Sequence, residues 1–186
     1  MTPRKALFLD RDGVVNRELS YLSRAEQVEW VPGLWDLCAR ARDAGFLLIV
    51  VTNQSGIARG MYSEEDFHAL MAWMRDQFLA QGVEMAAYYY CPHHPEHGIG
   101  EYKRDCADRK PNPGMLLHAA REFSLDLGQC VMVGDRCSDV AAANAAGIGK
   151  MFLLAGTETE RCADEFISID KLSDLQLEEI KTISPF

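Results

Sequence analysis

The chain has 186 residues, of which 48% are hydrophobic and 25% charged, so it is long enough to bury a full core and is expected to form one domain. Its formal charge of −9 argues against nonspecific nucleic-acid binding. No apolar run approaches the ~20 residues a membrane span needs, and the start Met1-Thr2-Pro3-Arg4-Lys5 leaves no room for a signal peptide's apolar region, so a cytoplasmic protein is expected.

Lys5 to Asp10 reads as a first strand, apolar at successive positions as a central strand buried on both faces should be. It runs into Asp10-Arg11-Asp12-Gly13. On its own this stretch fits an ordinary polar turn as well as a pair of working carboxylates. Residues 14–30 show no clear period and read as a long loop, of the kind that is often a flap, with room for a short helix. Pro32 and Gly33 open a helix that Gly45 closes, with Leu34, Leu37, Cys38 and Ala41 on one face. Phe46 to Val51 is a second strand, and it ends in the small polar cluster Thr52-Asn53-Gln54-Ser55-Gly56. Ser63 caps a helix whose first turn holds Glu64, Glu65 and Asp66. Its apolar stripe, Phe67, Leu70, Met71, Met74 and Phe78, is core spacing, and Gly82 ends it.

Met85 to Tyr90 is a third strand, and Cys91 to Asn112 has neither period. Asn112-Pro113 starts a helix, with asparagine as the cap. Cys130 to Val133 is a fourth strand, ending in Gly134-Asp135, and Ser138 caps an alanine-rich helix that Gly147 ends. Met151 to Leu154 and Phe166 to Ile169 are further strands, and Ser173 opens a last helix through Leu175, Leu177 and Ile180. Strands and helices alternate throughout, so the expected class is a Rossmann-like three-layer α/β/α fold with a mainly parallel sheet. In such sheets ligands bind at the carboxyl edge. Asp10, Asp12, Thr52 and Asp135 all follow strands there, and Arg109 and Lys110 precede a helix on the same side. Three carboxylates suit a hard divalent cation such as Mg2+, while a lysine and a threonine hydroxyl suit phosphate oxygens.

Asp10-x-Asp12-Gly13, then Thr52, then Lys110, then Gly134-Asp135, in that order, resemble the haloacid dehalogenase superfamily of phosphatases. The runs Val51 to Gly60, Tyr90 to Pro95 and Arg109 to Met115 narrow the resemblance to its histidinol-phosphate phosphatase-like branch of small sugar-bisphosphate phosphatases, over residues 5 to about 155. The resemblance implies an essentially capless enzyme in which Asp10 is the nucleophile and Asp12 the proton shuttle. It places Mg2+ on Asp10, Asp135 and the backbone carbonyl of Asp12, and phosphate on Thr52 and Lys110. It implies as activity the removal of the C7 phosphate from D-glycero-β-D-manno-heptose 1,7-bisphosphate, on the way to ADP-heptose and the lipopolysaccharide core. Histidinol phosphate, or a broader set of sugar phosphates, is the alternative. A non-catalytic sugar-phosphate-binding protein is the alternative of another class, and it sits poorly with the presence of Asp10, Asp12 and Lys110 together. The residues do not choose between the two anomers.

Candidate substrate contacts are Arg11, Asn53, Gln54, Ser55, Arg59, Arg109 and Arg136, and the resemblance adds Glu18 and Tyr21, which fall in a stretch that touches substrate in the family; Arg109 is the first choice for a second phosphate because its fork can bind one bidentately. Arg17 and Arg104 are placed on the same edge. Asp139 fits a metal-side acid and a first-turn acid equally and is not assigned. The six cysteines are expected to be thiols or metal ligands and not a disulfide frame, with Cys38 and Cys130 in the core. Cys91-x-His93 and Cys106-x-Asp108 offer two ligand pairs for a structural Zn2+, with Asp108 where the resembling family has a cysteine. A monomer is expected.

Overall fold

The structure, a computed structural model, describes residues 4–155 and 162–177. A single six-stranded parallel sheet forms its centre, in the order β3-β2-β1-β4-β5-β6. The strands are β1 (Lys5–Leu9), β2 (Phe46–Asn53), β3 (Met85–Cys91), β4 (Val131–Gly134), β5 (Lys150–Leu154) and β6 (Ile167–Ile169). The chain moves outward from β1 to β2 and β3, then returns to the other side of β1 for β4. Strand order therefore reverses between β1 and β4, and in open parallel sheets the ligand crevice lies at that reversal.

The apolar run of β1 is buried on both faces, and alternate residues feed different cores. Leu7 and Leu9 pack with α1 (Leu34–Asp43) and α3 (Glu64–Ala80), while Ala6 and Phe8 pack with α4 (Gly114–Phe123) and α5 (Cys137–Ala146). A short helix, α2 (Ser55–Ala58), follows β2. The expected stripe of α3 is buried in full, and Ser63 caps that helix by accepting from the Asp66 backbone N–H at 3.0 Å.

The long loop after Gly13 is a flap. Its two arms are joined by Arg17 N–H to the Glu29 carbonyl (2.7 Å) and Val31 N–H to the Val15 carbonyl (3.1 Å), and the short helix expected within it is a 3-10 turn at Ala25–Gln27. Trp30 at its base lies against Trp35 of α1 and Trp73 of α3, with ring centroids 4.8 and 5.8 Å apart. Val14 is fully buried beside them, a packing position.

Three sequence expectations need correction. Asn112 does not cap α4; its side-chain amide donates to the Cys106 carbonyl at 2.9 Å, bracing the preceding loop, and Pro113 stands at the cap. Arg136, and not Ser138, is the cap residue of α5. Where a helix is expected from Ser173, the described residues form a 3-10 turn at Leu172–Asp174; the Leu175 carbonyl after it accepts from Arg40 Nη1 at 2.8 Å, and Leu172, Leu175 and Leu177 are buried in the core that α1 shares. Ile180 lies outside the described residues.

The expectation of six thiols is also corrected. Cys137 and Cys162 form a disulfide, because the start of α5 meets the segment before β6 with Cα atoms 5.1 Å apart, within disulfide reach. Cys38, Cys91, Cys106 and Cys130 are free. No helix among the described residues is long and apolar enough to cross a membrane.

Candidate active site

At the carboxyl edge a pocket of about 400 Å³ opens between the flap, β2 and the starts of α4 and α5. Its wall brings together Asp10, Arg11, Asp12, Glu18, Tyr21, Thr52, Asn53, Gln54, Ser55, Arg59, Arg109, Lys110 and Arg136, every candidate catalytic and substrate residue of the sequence reading. Arg17 and Arg104 are not in that wall; Arg17 faces Glu29 at 3.6 Å on the flap.

Asp10 stands one residue past β1, its N–H still bonded to the Val133 carbonyl of β4 at 3.0 Å, so the sheet itself fixes its position. Lys110 reaches it from the loop before α4. The Lys110 ammonium donates to Asp10 Oδ1 at 2.6 Å and to the Val51 carbonyl at 3.0 Å, and it lies 2.5 Å from Asp139 Oδ1. Asn53 locks this lysine in place with a reciprocal pair of bonds, its side-chain amide donating to the Lys110 carbonyl and its side-chain oxygen accepting the Lys110 N–H, both at 3.0 Å. Asn53 thus touches the pocket while holding Lys110.

Asp10, Asp135 and Asp139 offer carboxylate oxygens that all lie within 4.8 Å of one another. Against these three carboxylates stands one buried cation, Lys110, with the exposed Arg136 next nearest to Asp135, so the cluster is short of positive charge. Burial drives the Asp10 carboxyl well above its usual range, Lys110 opposes this, and Asp139, Asp135 and Asp12 add to the rise. Burial, then Asp139, brings Asp135 to about 7. Burial alone would lower Lys110, but Asp10 and Asp139 outweigh it and hold the ammonium above the usual lysine value.

One oxygen of Asp135, Oδ1, is buried and has no hydrogen-bond partner among the described residues. Gly13 makes room for this carboxylate. Its φ is +94°, and a Cβ there would lie 2.1 Å from Asp135 Oδ2, so the glycine is required twice over. Three crowded carboxylates, an orphaned oxygen and a shortfall of positive charge fit a hard divalent cation with oxygen ligands. Asp139, unassigned from sequence, belongs to this centre. Its Oδ2 also accepts the Asp135 and Arg136 backbone N–H groups at 3.2 and 3.1 Å, so from the first turn of α5 it reaches back to the cap residue Arg136 and faces Lys110 at once.

Asp12 is held by donors on several sides. Arg11 Nε and Nη2 donate to its Oδ1 at 3.1 and 2.9 Å, Asn16 Nδ2 to the same oxygen at 3.0 Å, and Gln54 Nε2 to Oδ2 at 3.1 Å. Arg11 is itself almost fully buried, its guanidinium over the Phe67 ring, and is spent mainly on its neighbour. Gln54 Nε2 also donates to Thr52 Oγ1 at 2.7 Å, which leaves the Thr52 hydroxyl proton free to serve an anion. Asn16 and Tyr62 escaped the sequence reading. Each acts within its own loop, Asn16 on Asp12 four residues away and Tyr62 on Gln54 eight residues away, and no motif of residue types marks either.

The rim is basic and hinged. Arg136 Nη2 donates to Glu18 Oε2 at 3.0 Å, linking α5 to the flap, and Tyr21 at the flap tip is 42% exposed with φ +58°. Arg109 Nη1 donates to the His93 carbonyl at 3.1 Å, tying the pocket wall to the cysteine loop. Burial and the nearby Arg59 lower the Arg109 guanidinium's affinity for its proton, while the Cys91 and Cys106 sulfurs raise it.

In the cysteine loop, Cys91, His93 and Cys106 offer ligand atoms within 4.8 Å of one another. Burial pushes the Cys91 thiol up to about 12, so metal binding there would have to displace its proton, and burial holds His93 below its usual value. Asp108 is not in that group of three. Its Oδ1 is buried 3.4 Å from His118 Nδ1, without a hydrogen bond, and packs on Gly114, where a Cβ would come within 2.3 Å. Tyr102 in the loop and Tyr90 on β3 both donate to Glu64 at the start of α3, at 2.8 and 2.5 Å, which anchors the loop to the sheet independently of any metal.

A family model described as HAD-hydrolase-like matches residues 107–175. A D-glycero-alpha-D-manno-heptose-1,7-bisphosphate 7-phosphatase from Burkholderia mallei is 48% identical over 86% of this chain and 84% of its own length. A D-glycero-beta-D-manno-heptose-1,7-bisphosphate 7-phosphatase from Vibrio cholerae is also 48% identical, over 81% of each chain. Among solved structures, the D,D-heptose 1,7-bisphosphate phosphatase from B. bronchiseptica complexed with magnesium and phosphate superimposes with a TM-score of 0.75 at 29% identity, covering 91% of this chain and 94% of its own. The reversal at β1 and β4, the Asp10–Lys110 pair and these likenesses agree: the chain belongs to the heptose-1,7-bisphosphate 7-phosphatase family of haloacid dehalogenase-like hydrolases.

Proposed function

We propose that this protein is a Mg2+-dependent phosphatase that removes the C7 phosphate from D-glycero-D-manno-heptose 1,7-bisphosphate, working as a single capless domain, as a monomer and in the cytoplasm, in the supply of ADP-heptose for the lipopolysaccharide core. The observation that carries the reading is the buried Asp10–Lys110–Asp139 cluster at the floor of a pocket whose rim is arginine. Mg2+ would be held by Asp10, Asp135 and the Asp12 backbone carbonyl, with Asp139 beside them, and would offset negative charge on the phosphoryl oxygens.

Asp10 attacks phosphorus in line, forming the aspartyl–phosphorus bond as the bond to the C7 oxygen breaks. Asp12 gives its proton to that oxygen as it leaves. Asp12 then takes a proton from the water that attacks phosphorus, which breaks the aspartyl–phosphorus bond and frees Asp10. Lys110 and the Thr52 hydroxyl hold the phosphoryl oxygens, so positioning and charge carry most of the catalysis. Arg59, Arg109 and Arg136 receive the second phosphate, while Glu18, Tyr21 and Ser55 meet the sugar. A structural Zn2+ would be held by Cys91, His93 and Cys106, with Asp108 the candidate fourth ligand, and would stiffen the loop that carries Arg109 and Lys110.

A phosphate-release panel with Mg2+ tests the substrate, using both anomers of the heptose bisphosphate, fructose 1,6-bisphosphate and histidinol phosphate. The β-anomer is expected to have the highest kcat/KM. The α-anomer in first place would move the assignment within the family, and histidinol phosphate in first place would overturn it.

A further inference from the structure

We propose that Tyr62 is a positioning residue for Asp12, acting through the side-chain amide of Gln54. The inference rests on the phosphatase reading above. A residue that must give a proton and later take one back needs its carboxyl group aimed at a fixed point. Gln54 does part of that aiming. It is 1% exposed, and its Nε2 serves two catalytic groups at once, Asp12 Oδ2 at 3.1 Å and Thr52 Oγ1 at 2.7 Å.

An amide can turn end for end within the same volume. Turned, Gln54 would present its oxygen to the Asp12 carboxylate, acceptor against acceptor. The Asp12 carboxylate, which only accepts, favours the observed setting, and the partner of the amide oxygen holds the group at that place and distance. That partner is Tyr62, whose hydroxyl donates to Gln54 Oε1 at 2.5 Å. Burial pushes the Tyr62 phenol up to about 12, so it remains an O–H donor throughout the neutral range.

The backbone around it is shaped to admit the ring. A Cβ on Gly56 would lie 2.2 Å from Tyr62 Cε1 and 2.8 Å from its hydroxyl oxygen, so any other residue at 56 displaces the donor. Tyr62 also reaches the pocket wall, so direct contact with substrate is the rival role, and the two roles separate in kinetics.

The test is a double-mutant cycle on phosphate release, comparing wild type, Tyr62→Phe, Gln54→Ala and the double variant. Tyr62→Phe keeps the ring, so Tm should move by no more than about 2 °C. The expected result is a kcat lowered about tenfold with KM within about twofold, since the lost interaction acts on the reacting groups and not on binding. In the Gln54→Ala background the same substitution should change kcat less than about twofold, because the link is already cut. A full, additive loss in that background overturns the proposal. So does a raised KM at unchanged kcat, which assigns Tyr62 to the substrate, and so does no change in either constant.

A readout without turnover separates this from failure of the phosphatase reading. The Gln54 side-chain amide NMR signal, identified by its disappearance in Gln54→Ala, should shift in Tyr62→Phe. A wild type that hydrolyses nothing on the panel but shows that shift loses the reaction and keeps the link. An unmoved signal removes the link whatever the activity.

Discussion

Two regions at the same end of the sheet solve the same problem to different degrees. Around Asp10 every group is braced: Lys110 by Asn53 and Asp135 by the space Gly13 leaves, both from far along the chain, and Asp12 by its neighbours Arg11 and Asn16 together with the distant Gln54. In the cysteine loop three ligand atoms converge, but Asp108 is engaged elsewhere, against His118 and Gly114. The first region is preorganised by the protein alone. The second has the makings of a site whose last member must move, and the tyrosine pair on Glu64 holds its loop meanwhile. Preorganisation is a property of the surrounding residues as much as of the ligands themselves.

The sharpest break in the braced region is Lys110→Met. It keeps most of the volume, removes the cation between Asp10 and Asp139, and leaves two buried carboxylates facing each other. Loss of a buried positioning charge at the phosphoryl group should lower kcat by about 10³. Steady-state phosphate release checks it, and a loss under tenfold would mean that the lysine is structural.

Cysteine use divides along the same line. Cys137–Cys162 closes a loop with a sequence separation of 25 and ties the start of α5, next to the Arg136 and Asp139 of the pocket, to the segment before β6. Reduction should cost about 3 kcal/mol of stability by the loop-entropy argument, read as a Tm drop of several degrees with reductant. Cys137→Ser should melt at the reduced value with or without reductant. If reductant also lowers the melting of that variant, the loss comes from another pair.

Much of this was legible in the sequence because a parallel sheet forces it. Once Asp10, Thr52 and Asp135 are each read as following a strand, their meeting on one edge is a consequence of topology. Asp139 was not legible, since an acid in the first turn of a helix looks the same whether or not it also faces a lysine. Gln54 and Asn53 were read as substrate contacts from their place at the carboxyl end of the second strand. Their other role, holding Asp12 and Lys110, depends on partners up to 57 residues away. The disulfide has no motif; it follows from where α5 starts relative to the chain before β6.

Completing the weaker region should sharpen the contrast. Asp108→Cys supplies a thiolate where the carboxylate now turns away, and should raise zinc affinity by about tenfold or more, since thiolate is the softer ligand. A competition titration against a chelator measures it. Cys106→Ala should reduce zinc content toward zero; equal, near-zero zinc in wild type and both variants would remove the site and leave the tyrosine–Glu64 anchor as what holds the loop.

The smallest effect tests the opposite claim, that the braced region sacrifices stability when no cation is present. Asp135 titrates near 7 in the folded chain against 3.8 ordinarily, chiefly through burial. A carboxyl with a raised folded pKa binds a proton that the unfolded chain has released, so stability is retained below about pH 4 and lost as pH rises toward 7. Asp135→Asn removes that loss. Metal-free Asp135→Asn should therefore melt a few degrees above metal-free wild type at about pH 8, with the gap closing near pH 4. Millimolar Mg2+ should reverse the order by raising the wild-type Tm and not the variant's, because the cation binds the folded carboxylates. Thermal melts at both pH values with and without Mg2+ decide it. A variant that melts below wild type at pH 8 without metal would show that Asp135 stabilises the empty fold, and the charge deficit at its carboxylates would no longer argue for a dication.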